Sequence, residues 1–94
     1  MFRHIVLFRV YDEVSDDRID TAITRLASLA TLPGVVSMRV ERSLDTRKGR
    51  MLIEDAMFED ARAFSAFRAH PAHVAVAAEM AEISDWWVGD YAES

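Results

Sequence analysis

The segment from Phe2 to Val10, FRHIVLFRV, constrains this chain more than any other. Strand side chains alternate with period two. Read that way, Phe2, His4, Val6, Phe8 and Val10 share one face, and Arg3, Ile5, Leu7 and Arg9 share the other. The middle of the strand is apolar on both faces, so its sheet needs cover on both sides. The 94 residues predict a single domain, residues 1–94, with a modest core.

The remaining pattern extends this start. Ser15 suits an N-cap, and Asp16 and Asp17 follow in a first turn where the helix dipole favours anions. Ile19, Ala22, Ile23, Leu26, Ala27 and Ala30 recur at helical spacing, and Pro33-Gly34 closes the helix. Val35–Ser43 and Arg50–Phe58 read as two strands of a hairpin. Asp60 caps a helix running to about Ala69, Pro71 opens another to about Ile83, and Asp85–Ala92 is a last strand. The order is βαββαβ. The expectation is an α+β, ferredoxin-like fold, with helices on one face of a four-stranded antiparallel sheet.

That arrangement leaves the second face of the sheet bare. A bare apolar face of this size marks an interface or a ligand cavity. Two sheets meeting face to face would cover it, so the chain is expected to pair with itself as a homodimer.

Composition removes other partners. Cysteine is absent, which excludes disulfides, thiolate nucleophiles and cysteine metal sites. A net charge of −5 argues against a nucleic-acid partner. The basic run Arg47-Lys48-Gly49-Arg50 reads as a solvated turn. No window approaches the roughly 18 apolar residues of a membrane span. The run Ile5–Phe8 is too short, and wrongly flanked by arginines, for a signal peptide. A cytoplasmic protein with no membrane partner is expected.

Catalysis near neutral pH most naturally uses one of the three histidines, His4, His70 and His73. His73 falls in the first turn of the helix opened by Pro71. There the helix dipole disfavours imidazolium and leaves a ring able to accept a proton. The alternative is a histidine that satisfies backbone groups at the helix junction. His70 precedes a proline and is better suited to ending one helix and capping the next. His4, among Phe2, Val6 and Phe8, is either a pocket group or a satisfied core histidine. No metal site and no cofactor are expected: the histidine spacing is poor for zinc, and neither a phosphate loop nor a nucleophile elbow appears. Glu54 and Asp55 are adjacent on a strand, so one must face the buried side and needs a partner, for which Arg39 or Arg42 is expected. Trp86 and Trp87 point to opposite faces, as packing residues or as platforms for a planar ligand.

The opening Phe2-Arg3-His4-Ile5-Val6-Leu7-Phe8, Phe58-Glu59-Asp60, His70-Pro71-Ala72-His73 and Asp90-Tyr91 resemble the Dabb family, the stress-responsive dimeric α/β-barrel proteins. The resemblance spans nearly the whole chain. It implies a dimeric α+β barrel with a cavity between sheet and helices in each protomer. It is distantly similar to plant polyketide cyclases of the olivetolic-acid-forming type, which work without metal or organic cofactor. The resemblance to that branch implies His73 as general base and His4 as a pocket residue, while Phe67 stands where the branch has a tyrosine. A histidine of the branch that falls near Leu52 is also missing here.

The expected function is therefore a cavity for a small hydrophobic or polyketide-like molecule. Val6, Phe8, Phe67 and Trp86 would line it, and His73 would serve as base and His4 as orienting group if the protein is a cyclase or lyase. A non-catalytic stress-responsive or structural dimer is the alternative, and a cofactor-free monooxygenase of the same architecture is a third.

Overall fold

A computed structural model describes residues 1–94. Strand β1 (Phe2–Val10) leads to helix α1 (Asp16–Ala27), which ends in a short 3-10 turn (Ser28–Thr31). Strands β2 (Val35–Arg42) and β3 (Met51–Phe58) follow, then helices α2 (Ala61–Ala69) and α3 (Pro71–Ile83), and strand β4 (Ser84–Ala92). The sheet order is β2-β3-β1-β4 with all neighbours antiparallel. This is the ferredoxin-like fold expected from the pattern, with element ends displaced by a residue or so.

The helix ends have local causes. Ser15 Oγ accepts the Arg18 N–H at 3.1 Å, and an Asp60 carboxylate oxygen accepts the Ala63 N–H at 2.7 Å. Each side chain satisfies a donor that a first helical turn leaves orphaned. His70 caps α3: its Nδ1 accepts the Ala72 N–H at 3.0 Å, with Pro71 at the first helical position. The break between α2 and α3 is thus written in His70-Pro71. Gly34 adopts φ +85°, a left-handed conformation that non-glycine residues avoid, and a Cβ there would lie 2.8 Å from Ala63 Cβ. The Pro33-Gly34 turn therefore lets β2 start directly beneath α2.

All helices lie on one face of the sheet. Val6, Phe8 and Val10 from β1 and Leu52, Ala56 and Phe58 from β3 are buried against Ile19, Leu26, Phe64, Phe67, Val76 and Met80 from the helices. The other face carries Ile5, Leu7, Ile53 and Trp87, with Leu7 opposite both Ile53 and Trp87 in the ladder. Leu7 is 38% exposed and Trp87 58%. Around them, Arg3 bridges Asp55 at 2.8 Å and Glu93 at 2.7 Å. No helix is long and apolar enough to cross a membrane.

Candidate functional site

Between the sheet and the helices lies a cavity of about 430 Å³. Ten of its 15 lining residues are hydrophobic. Its floor is the helix-side face of β1 and β4, where strand alternation places His4, Val6 and Phe8 beside Trp86, Val88 and Asp90. Its roof comes from the ends of α1 and α2 and from α3. Edge strand β4 reaches beyond the helices, leaving Trp86 38% and Val88 53% exposed, so the cavity opens along that edge. Trp86 leans on Phe8 with ring centroids 5.7 Å apart.

Five side chains bring polar chemistry into this largely apolar space: His4, Glu54, Arg68, His73 and Asp90. His4 is 6% exposed and is fixed from one side by Asp90, whose carboxylate accepts the Nδ1–H at 2.6 Å. A carboxylate only accepts, so it sets the tautomer and turns Nε2 inward. His4 Nε2 then lies 3.4 Å from Glu54 Oε2. The rings of Phe58 and Phe64 pack around His4, the latter with centroids 4.6 Å apart.

Glu54 is 4% exposed, and burial pushes its carboxyl up to about 7. The expected partner was Arg39 or Arg42, and the fold overturns this. Arg42 reaches across to Asp20 on α1 at 2.7 Å, Arg39 contacts Glu41, and Asp55 pairs with Arg3 on the open face. Glu54 faces Val6 and Val40 across the ladder, so no cation lies opposite it on a neighbouring strand. Its ionisable neighbour is His4.

His73 enters from the first turn of α3. Its Nδ1 lies 3.2 Å from the carbonyl oxygen of Arg68, an orphan acceptor in the last turn of α2. A carbonyl only accepts, so Nδ1 carries the proton and Nε2 holds the free lone pair. Burial, and after it the charge of His4 and Arg68, holds the imidazole below the ordinary histidine range, against the opposing pull of the carbonyl. The same ring therefore ties the helix junction together and offers a neutral nitrogen on the cavity wall.

Of the residues singled out in the sequence, His4, Val6, Phe8, His73 and Trp86 meet at this cavity. Phe67 does not line it. Phe67 is 2% exposed and packs behind the wall, between Phe58 (centroids 4.8 Å apart) and His73 (4.8 Å). It shares the core-facing side of α2 with Phe64 but lies nearer the helix junction, against His73. Sequence reasoning missed Asp90 and Arg68 as site residues and read Glu54 first as one half of an ion pair. For Asp90 the signal was present: it shares a strand face with Trp86 and Val88, directly opposite His4 in the β1–β4 register.

Residues 2–93 match the family described as the stress responsive A/B barrel domain, Dabb. No curated protein matches the chain in sequence. Among solved structures, a dimeric ferredoxin-like protein of unknown function from Thermobifida fusca superposes with TM-score 0.87 at 28% identity, over 98% of this chain and 90% of that one. A hydroxynitrile lyase from Passiflora edulis gives TM-score 0.84 at 23% identity, over 96% and 90%. SnoaB, a cofactor-independent oxygenase from Streptomyces nogalater, gives 0.82 at 21%, over 99% and 92%. The last two likenesses speak for the fold alone. With the family match covering almost every residue, the chain belongs to the Dabb family of stress-responsive A/B barrel domain proteins.

Proposed function

We propose that this protein is a homodimeric α+β barrel whose cavity binds a small hydrophobic, polyketide-like molecule and acts on it by cofactor-free cyclase- or lyase-type chemistry. His73 is the general base and His4 the orienting group. The observation that carries this reading is the neutral His73 imidazole, its Nδ1 committed to a carbonyl, set in the wall of a cavity that is apolar elsewhere. A base with its lone pair free near neutral pH can take a proton from a carbon made acidic by an adjacent carbonyl.

The dimer rests on the open face. Ile5, Leu7, Ile53 and Trp87 form an apolar patch that nothing in the chain covers. Gly89 sits there opposite Ile5, without a left-handed backbone, and a Cβ on it would meet nothing within 4 Å. A glycine that its own chain does not require fits the close approach of another backbone. The T. fusca neighbour, described as dimeric, supports the same assembly.

Deuterium incorporation next to the carbonyl of an aryl ketone such as 4-phenylbutan-2-one tests the reaction. Wild type should accelerate exchange, and His73→Gln should lose about 10²–10⁴-fold of that acceleration with the fold intact. Equal exchange in the two proteins would discard the catalytic reading. The second reading, a non-catalytic stress-responsive dimer, is favoured by the same His73–Arg68 bond, which has a structural use of its own. It calls for His73→Ala to lower the melting temperature while no probe turns over.

A further inference from the structure

We infer that Glu54 and His4, anchored by Asp90, form a second proton-holding pair on the sheet side of the cavity, and that Glu54 presents its proton to the polar group of the bound molecule. The inference rests on the cavity being a ligand site and is independent of the role given to His73.

The geometry is a chain of three groups from three strands. Asp90 on β4 holds His4 Nδ1 at 2.6 Å, so the ring cannot turn over without losing its bond. His4 on β1 then offers Nε2 to Glu54 on β3 at 3.4 Å. Burial favours the neutral acid at Glu54 and holds its carboxyl up at about 7. Glu54 can therefore hold or release its proton near neutral pH, as a proton-transfer group requires.

A separation of 3.4 Å is beyond a strong hydrogen bond to a carboxyl oxygen. Glu54 accepts no other hydrogen bond and donates none within the chain, although its carboxyl lines the cavity. A carboxyl that opens onto a cavity without a hydrogen-bond partner in the chain is free to bond what enters it. An acceptor oxygen on the ligand, such as a carbonyl, accepts that bond. From the neighbouring elements, β2 sets Val40 opposite Glu54, and α1 lends Leu26 to the cavity. The other charged or titratable groups facing the same space are Arg68 from α2 and His73 from α3. A proton donor on the sheet and an acceptor on α3 thus face one another across the ligand space.

The test is a pH titration of the full-length protein with carbon-13-labelled glutamate carboxyls, read by NMR. Glu54, assigned from its loss in Glu54→Gln, should titrate near 7. In parallel, binding of the neutral ketone 4-phenylbutan-2-one should weaken about tenfold between pH 6 and 8. That dependence should vanish in Glu54→Gln and persist in His73→Gln. A Glu54 carboxyl that titrates near 4.5 rather than near 7 overturns the inference whether or not the ketone binds. So does ketone affinity that is flat with pH in wild type. A ketone that binds at no pH, with Glu54 still titrating near 7, leaves the proton pair standing and sinks instead the reading of the cavity as a ligand site.

Discussion

The two faces of one sheet obey opposite rules in this protein. On the helix side, the space is apolar and buries Val6 and Phe8, yet polar groups are placed in it: His4 at 6% exposure and Glu54 at 4%. On the other side the surface is open, yet it carries Leu7 and Trp87, ringed by charge pairs such as Arg3–Asp55. Each face holds residues whose environment within the chain is wrong for them. Buried polar groups must be matched or used, because leaving them unpaired is costly. Exposed apolar groups must be covered, because a patch of that kind is the mark of association. The first mismatch points to a small molecule and the second to another copy of the chain.

Adjacent residues of β1 give the sharpest way to break this comparison. Val6→Asp should prevent folding, since it buries an unpaired charge among Phe8, Leu52 and the helices, and circular dichroism should show the loss. Leu7→Asp should leave the fold intact and weaken self-association by about a hundredfold, roughly 2.7 kcal/mol, measured by sedimentation equilibrium. The wild-type interface should bury well over ~1,200 Å². A wild type that sediments as a clean monomer of 10.7 kDa would remove the second half of the comparison.

Glu54→Gln is expected to stabilise the protein at alkaline pH. Burial raises the folded carboxyl to about 7 from its ordinary value of 4.5, so the native state binds the proton more tightly than the unfolded chain. The associated stability is fully present below pH 4.5 and is lost as pH rises through about 7. Removing the charge at pH 8.5 should recover on the order of 2 kcal/mol in urea denaturation, and next to nothing at pH 4. A variant less stable than wild type at both pH values would show a structural ion pair with His4 instead.

Smaller effects are expected behind the cavity wall. Phe67→Tyr forces a hydroxyl into a ring site packed against Phe58 and His73, and should cost about 1–3 kcal/mol in thermal melts. A neutral melt would mean that the hydroxyl reaches the cavity. His73→Gln should flatten the acid side of the stability profile. The folded imidazole is held below its ordinary value of 6.5, so its contribution is present above that pH and fades as pH falls through the lower folded value. An unchanged acid limb in the variant would contradict the burial of the ring.

Much of the frame was legible in the residues themselves. Ser15, Pro33-Gly34, Asp60 and His70-Pro71 act on their immediate neighbours, so local chemistry fixed where helices begin and stop. The double apolar face of Phe2–Val10 reported that one chain could not cover its own sheet. Strand alternation likewise put His4 with Val6 and Phe8. Phe67 was legible only in part: its apolar character was plain, but whether it lined a cavity or stood behind one depended on how α2 rolls against the sheet.

The partner of Glu54 was beyond sequence reasoning. Arg39 and Arg42 are nearer along the chain and carry the right charge, so they were the natural candidates. Register decided otherwise. Pairing β3 to both β1 and β2 set Val6 and Val40 beside Glu54, and drew Arg42 out to Asp20. Asp90, His4 and Glu54 belong to strands β4, β1 and β3, with Glu54 and Asp90 36 positions apart and His4 and Glu54 50 positions apart. Alternation assigns each residue to a face of its own strand, but contacts between strands exist only once the ladder is in register. The sequence alone determined the elements and the bare face, since those follow from local conformation and period-two patterning. Tertiary structure alone decided which three polar groups come together on one face of the sheet, since burial and proximity across strands arise only when the sheet closes under its helices.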